Sequence, residues 1–173
     1  MSQQQPATKL GPATAYMIAV GIMLLDQAVK TYVTEAMHLA TRGSIPLLGP
    51  LHLTLVWNRG VTFGLFTGDT QIVRWALTGF AVIMSLVLGW WAKSQHRILP
   101  LAGIGLIMGG AIGNVIDRVR YGAVIDFIDA SALYFPWVFN VADACIDIGV
   151  VLLLIDMVRN DRPSQDNAKG DAE

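Results

Sequence analysis

Apolar and polar positions alternate in long blocks along this chain. The apolar blocks predict helices over 13–34, 71–92, 98–117 and 137–158. Each is near the roughly 20 residues that cross a hydrocarbon layer. Between the first two blocks, Pro46, Gly49 and Pro50 break any helical period. Leu51, Leu53, Leu55 and Trp57 then alternate with their neighbours and predict a strand. Asn58-Arg59-Gly60 reads as a turn, and 61–66 as a second short strand. An open sheet edge cannot sit in hydrocarbon, so this small sheet is expected outside the lipid. Residues 119–136, bracketed by Gly122 and Pro136, form an extramembrane loop. Residues 1–12 and 159–173 are polar tails of disordered composition. The expected fold is an integral membrane protein, mainly α, with one domain over 13–158, four transmembrane helices and a small extracytoplasmic β-sheet.

Polar residues inside such blocks are costly and by default functional. Asp26 and Lys30 stand four residues apart on one face of the first span, where an internal ion pair would anchor the helix end. Asn114, Asp117 and Arg118 cluster on one face of the third span. Arg118 could bond carboxylates in fork geometry, and Asp117 could partner Arg118 or backbone amides. Asn140, Asp143 and Asp147 share a face of the fourth. Asp126 lies in the loop between them, with Asp129, read as a solvated loop acid. Gly105, Gly109 and Gly113 recur every four residues, a stripe that lets another helix approach closely. A four-helix hairpin order brings Asp26, Lys30, Asn58, Asn114, Arg118, Asp126, Asn140 and Asp143 to one surface. Structural polar groups alone would scatter over both ends. Asp126 and Asp143 come from separate segments, and a carboxylate pair sharing one proton can activate water against an amide.

The chain has 173 residues, 54% of them hydrophobic and 14% charged, with a formal net charge of −1. Soluble domains average about 25% charged residues, and the balance argues against a nucleic-acid binder. The run 13–25 has the length of a secretory h-region, but the adjoining Asp26-Gln27-Ala28-Val29-Lys30 is a poor cleavage site, so it reads as an uncleaved span. The lone Cys145 excludes an internal disulfide and any multi-cysteine metal site. No histidine lies in the adjacent motifs to activate it, which makes it a helix-packing residue. His38, His52 and His96 lie in loops or the strand. Lys9, Lys93, Arg97, Arg159, Arg162 and Lys169 fall on the side of the termini, against Arg42, Arg59, Arg74 and Arg120 opposite. That bias favours cytoplasmic termini.

Five motifs run in order: D-Q-x-x-K from Asp26 to Lys30, N-x-G-x-x-F from Asn58 to Phe63, G-G-A-x-G-N-x-x-D-R from Gly109 to Arg118, V-x-D-F from Val124 to Phe127, and F-N-x-A-D from Phe139 to Asp143. Together they resemble lipoprotein signal peptidase, or signal peptidase II, an aspartic protease family of the bacterial inner membrane. The resemblance covers 13–158. It implies a catalytic dyad of Asp126 and Asp143, with no metal and no cofactor. Asn58, Asn114, Arg118 and Asn140 would orient dyad and substrate, and Asp26 and Lys30 would support the helix ends. The implied substrate is a prolipoprotein bearing diacylglycerol on a cysteine, cut just before that cysteine. The implied setting is a monomer among membrane lipids, with no nucleic acid. The site, beside a periplasmic loop or short helix, would face the periplasm, and both termini the cytoplasm. Inhibition by a cyclic lipopeptide of the globomycin type is implied as well.

A proton-coupled transporter is the rival class. Its ionisable groups should run through the membrane depth, whereas here the middles of spans two and three are apolar or glycine. A lipid-binding scaffold, the other rival, would tolerate loss of either aspartate.

Overall fold

The computed structural model describes residues 10–60, 70–133 and 137–160. The strand expected over 61–66, with Phe63, lies outside the described residues, as do 1–9 and 161–173. The architecture is mainly helical with a small antiparallel sheet. Helix α1, Pro12–Thr31, starts on a proline, whose missing N–H costs nothing at a helix start. It continues as a π-helical turn, Tyr32–Ala36. A single turn, α2 (Leu39–Arg42), precedes β1 (Ile45–Leu48) and β2 (Leu51–Asn58). Two long helices come next, α3 (Thr70–Ala92) and α4 (Ile98–Tyr121). Then come β3 (Val124–Asp129), a 3₁₀ turn (Ser131–Leu133), β4 (Val138–Phe139) and α5 (Val141–Asn160).

Among the described residues, three helical segments, Pro12–Ala36, Gln71–Ala92 and Ile98–Tyr121, are long and apolar enough to cross a membrane. The segment α5 has 20 residues but carries Asp143, Asp147, Asp156 and Arg159. Several boundaries differ from the hydropathy pattern. The third helix runs four residues past Asp117, because Arg118, Val119, Arg120 and Tyr121 keep helical bonding until Gly122 adopts φ 76° and caps it. Residues 137–140 precede α5, with Val138 and Phe139 pairing Asp129 and Ile128 across the sheet. The loop expected over 119–136 contains a true strand, and Asp126 stands in its middle.

Helix α4 is the hub, packed against α1, α3 and α5. Gly105 and Gly109 lie against α1, where an added Cβ would stand 2.7 Å from Ala15 O and 2.6 Å from Ala19 O. A second set faces α5: Gly103 meets Gly149, and Gly110 meets Ala142. The outside of the bundle is apolar, with Met17, Leu24, Ile72, Phe80 and Leu86 all exposed. The inside near one end is polar, with Asp26, Lys30, Asn114, Asp117, Asp126 and Asn140 all buried. That inversion suits a lipid surround. The four-stranded sheet, ordered β1-β2-β3-β4, sits at the same end. Pro46 is tolerated because β1 is an edge strand. An apolar cluster of Val33, Leu39, Leu53, Ile125 and Phe127 ties the sheet to the helices.

Candidate active site

Asp126 is placed by strand register. Between Leu53 and Val56 the β2–β3 pairing slips by one residue, so Val56 faces Asp126 and Asn58 faces Val124. Without the slip, Asn58 would fall on the opposite face of the sheet. With it, Asn58 lies diagonally across from Asp126, and its Nδ2 donates to Asp126 Oδ2 at 2.9 Å. The Asn58 Oδ1 is occupied by the Gly60 N–H at 2.8 Å, which orients the amide. Asn140 Nδ2 donates to the other Asp126 oxygen at 2.6 Å.

Asp143 is placed by a helix start. Asn140 and Asp143 form a reciprocal capping pair on α5. The Asp143 N–H donates to Asn140 Oδ1 at 2.9 Å, and the Asn140 N–H donates to Asp143 Oδ2 at 3.3 Å. The helix dipole at this position favours negative charge. Asn114 Nδ2 donates to Asp143 Oδ1 at 2.8 Å. Asn140 thus bonds both aspartates, one by its side-chain amide and one through the cap.

Beneath these groups lies a buried ionic cluster. Lys30 Nζ is 2.8 Å from Asp26 Oδ2, 2.7 Å from Asp117 Oδ2 and 3.1 Å from Asn114 Oδ1. Asn114 Oδ1 also accepts Asn140 Nδ2 at 3.3 Å. With its oxygen so occupied, the Asn114 NH₂ is turned toward Asp143. Of the partners expected for Asp117, the backbone amide is present and Arg118 is not. Asp117 accepts the Ile125 N–H at 3.1 Å and pairs with Lys30. Asp26 Oδ1 accepts the Ala142 N–H at 3.0 Å. Gln27 Nε2 donates to Asp117 Oδ1 at 2.9 Å and to Gly113 O at 3.2 Å. Sequence reasoning gave Gln27 no part. The signal was its place in D-Q-x-x-K, one residue from Asp26 and three from Lys30.

Arg118 does not form the expected fork. Half-buried, it lies within electrostatic reach of Asp143, Asp126 and Asp117 but makes no ion pair among the described residues. Asp129 is not merely solvated: its oxygens accept Thr54 Oγ1 at 3.0 Å and the Ser131 N–H at 2.9 Å. Those bonds, led by Ser131, hold its carboxyl below the ordinary value. Asp147 is exposed on α5, and Cys145 is a free, half-buried thiol.

Asp126 is the acid whose environment stands out. It is 1% exposed, and burial pushes its carboxyl up to about 6. The Asn58 amide opposes that rise, the charge of Asp143 adds to it, and Asn140 and Lys30 oppose it. The signal peptidase (SPase) II family matches residues 18–159. The chain belongs to the signal peptidase II family. A lipoprotein signal peptidase of Caulobacter vibrioides is 51% identical over 143 residues, covering 82% of this chain and 84% of the relative. That of Methylobacterium sp. (strain 4-46) is 44% identical over 165 residues, covering 94% and 93%. Two solved structures, each of a bacterial membrane enzyme, share the fold. One superposes with a TM-score of 0.73 at 29% identity, over 84% of this chain and 93% of its own. The other gives 0.72 at 27%, over 93% of each. As a signal peptidase II, this membrane protein is a protease that removes signal peptides from lipoprotein precursors.

Proposed function

We propose that Asp126 and Asp143 are the catalytic dyad of an aspartic endopeptidase. It would cut a diacylglyceryl-modified prolipoprotein just before the lipidated cysteine. The observation carrying this reading is Asn140, whose one side chain ties the buried Asp126 of β3 to the Asp143 at the start of α5. Asp143, at a helix N-terminus and accepting two N–H groups, is the ionised partner that takes a proton from water. Asp126, its carboxyl raised to about 6 by burial, carries the shared proton and gives it to the scissile amide. Bound substrate would exclude more water and push that proton affinity higher. Arg118, within electrostatic reach of both aspartates and with no ion pair among the described residues, would stabilise negative charge gained by the substrate carbonyl. Asn58, Asn114 and Asn140 orient the dyad, and Asp26 and Lys30 support it from below. The reaction needs no covalent enzyme intermediate.

In this reading residues 13–158 form a single domain in the bacterial inner membrane, working as a monomer among lipids. The α5 helix is the fourth crossing. Its acids near the start lie at the site end, and Asp156 pairs with Arg97 at 2.7 Å at the other end. Both termini face the cytoplasm and the dyad faces the periplasm. The test is cleavage of a diacylglyceryl-modified precursor by purified protein in detergent, beside the same precursor without lipid. Asp126→Asn and Asp143→Asn should each abolish cleavage, and unlipidated precursor should be cut poorly. Substantial activity in either variant would remove the dyad. Equal turnover of both precursors would remove the lipid requirement.

A further inference from the structure

The buried cluster reaches the dyad by a route that helix anchoring does not require. An ammonium has three N–H donors, and Lys30 directs them to Asp26, Asp117 and Asn114. Each of those carboxylates grips one backbone amide. Asp117 holds the N–H of Ile125, the residue before Asp126, and Asp26 holds the N–H of Ala142, the residue before Asp143. One cation therefore connects the backbone N–H groups of the residues just before the two dyad members, through two carboxylates at 0–1% exposure. An Asp26–Lys30 pair alone would suffice to anchor the end of α1. It would not need Asp117, nor a hold on β3 and α5. Gln27 restrains Asp117 from the other side, and Gly113 leaves room for Asp26 Oδ2, 2.6 Å from where a Cβ would stand.

We infer that Asp26, Lys30 and Asp117 form one positioning unit, which sets the spacing of the two dyad residues by tying together the amides that precede them. The inference rests on the reading of Asp126 and Asp143 as the dyad. None of the three touches substrate; they act through Asp126 and Asp143. A misplacement of about 1 Å at a reacting group can cost about a hundredfold in rate, so the unit should show in kcat.

Removing Lys30 alone would strand two buried carboxylates and unfold the site, so the test changes the partners together. The variant Asp26→Asn/Lys30→Met/Asp117→Asn removes every charge in the cluster. Its asparagines keep acceptors for the Ile125 and Ala142 amides, and what is lost is the tie between them. Against a lipidated precursor, kcat should fall about a hundredfold while KM stays within about threefold. Asp117→Asn alone, which leaves Asp26 and Lys30 as a neutral pair and strands no charge, should show the same split if the triple variant does not accumulate. A folded variant with the parent kcat, or one that changes only KM, overturns the inference. So does a loss of kcat that merely follows the folded fraction in melts run alongside. Asp126→Asn is assayed beside them. If it is inactive and the triple variant is fully active, only this inference falls. If Asp126→Asn is itself active, the dyad falls first.

Discussion

Asp126→Asn tests the site through stability as well as activity. The Asp126 carboxyl is raised from 3.8 to about 6 because folding buries it. Between those values the folded protein holds a proton that the unfolded chain has released. Stability is therefore full below pH about 4 and falls as pH rises toward 6 and just above it. About two pH units at roughly 1.4 kcal/mol each put the loss near 3 kcal/mol. Asparagine cannot titrate, so the variant should lack this dependence. Its new NH₂ must face the NH₂ of Asn58 or of Asn140, a mismatch costing about 1–3 kcal/mol. That cost is the same at every pH and drops out of the comparison. The stability gap between variant and parent should thus move about 2 kcal/mol in the variant's favour from pH 4 to pH 7.5. Thermal melts of purified proteins in one detergent across that range measure it, while cleavage of lipidated precursor stays abolished. Parallel melting curves, or a gap that moves the other way, would refute the claim that Asp126 is held in its charged form at a cost.

Asn58→Ala removes an amide that lowers the Asp126 proton affinity. The alkaline limb of kcat/KM, expected near pH 6 in the parent, should shift to higher pH, and a pH–rate profile reads it. Gly109→Ala would place a Cβ 2.6 Å from Ala19 O, well inside ordinary contact, so α1 and α4 must part. Overpacking of this kind costs about 1–3 kcal/mol. Gly79→Ala, with nothing within 4 Å, should be neutral or stabilising, and melts of the two variants decide. Asp129→Asn keeps an acceptor for Thr54 or Ser131 and should retain most cleavage activity in the same assay.

The positions and order of the long helices were legible because each apolar block is long and interrupted by Pro, Gly or charge. The edges of those blocks were not legible. Arg118 and Arg120 read as the end of a span, yet α4 continues through Tyr121, because arginine is a good helix former and its head group can reach the interface. The β3 strand was missed because Val124, Ile125, Asp126 and Phe127 show no clear alternation. Both faces of that strand are buried, and a two-sided strand reads as a continuous run. The register slip in β2 leaves no mark in the sequence, yet it decides which side of the sheet Asn58 takes. Pairing faces can be counted from the sequence only when no residue is inserted.

The glycine stripe and the acids are one device, although from the sequence the glycines read as packing alone. A carboxylate can stay in a membrane interior only when every lone pair has a donor. Asp26 finds its donors on two elements: Lys30 and Gln27 on its own helix, and the Ala142 amide at the start of α5. The α1 and α5 helices can both reach that point only if α4 between them is thin. Gly105 and Gly109 let the α1 backbone come within contact of α4, and Gly103 and Gly110 do the same for α5. One turn beyond Gly109, Gly113 meets a carboxylate instead of a backbone carbonyl: the missing side chain is the space that Asp26 fills. The small residues bring the helices together, and the charge cluster is what they close around. Gly→Ala substitutions along the stripe should therefore change from costs in stability alone to costs in kcat as they approach position 113.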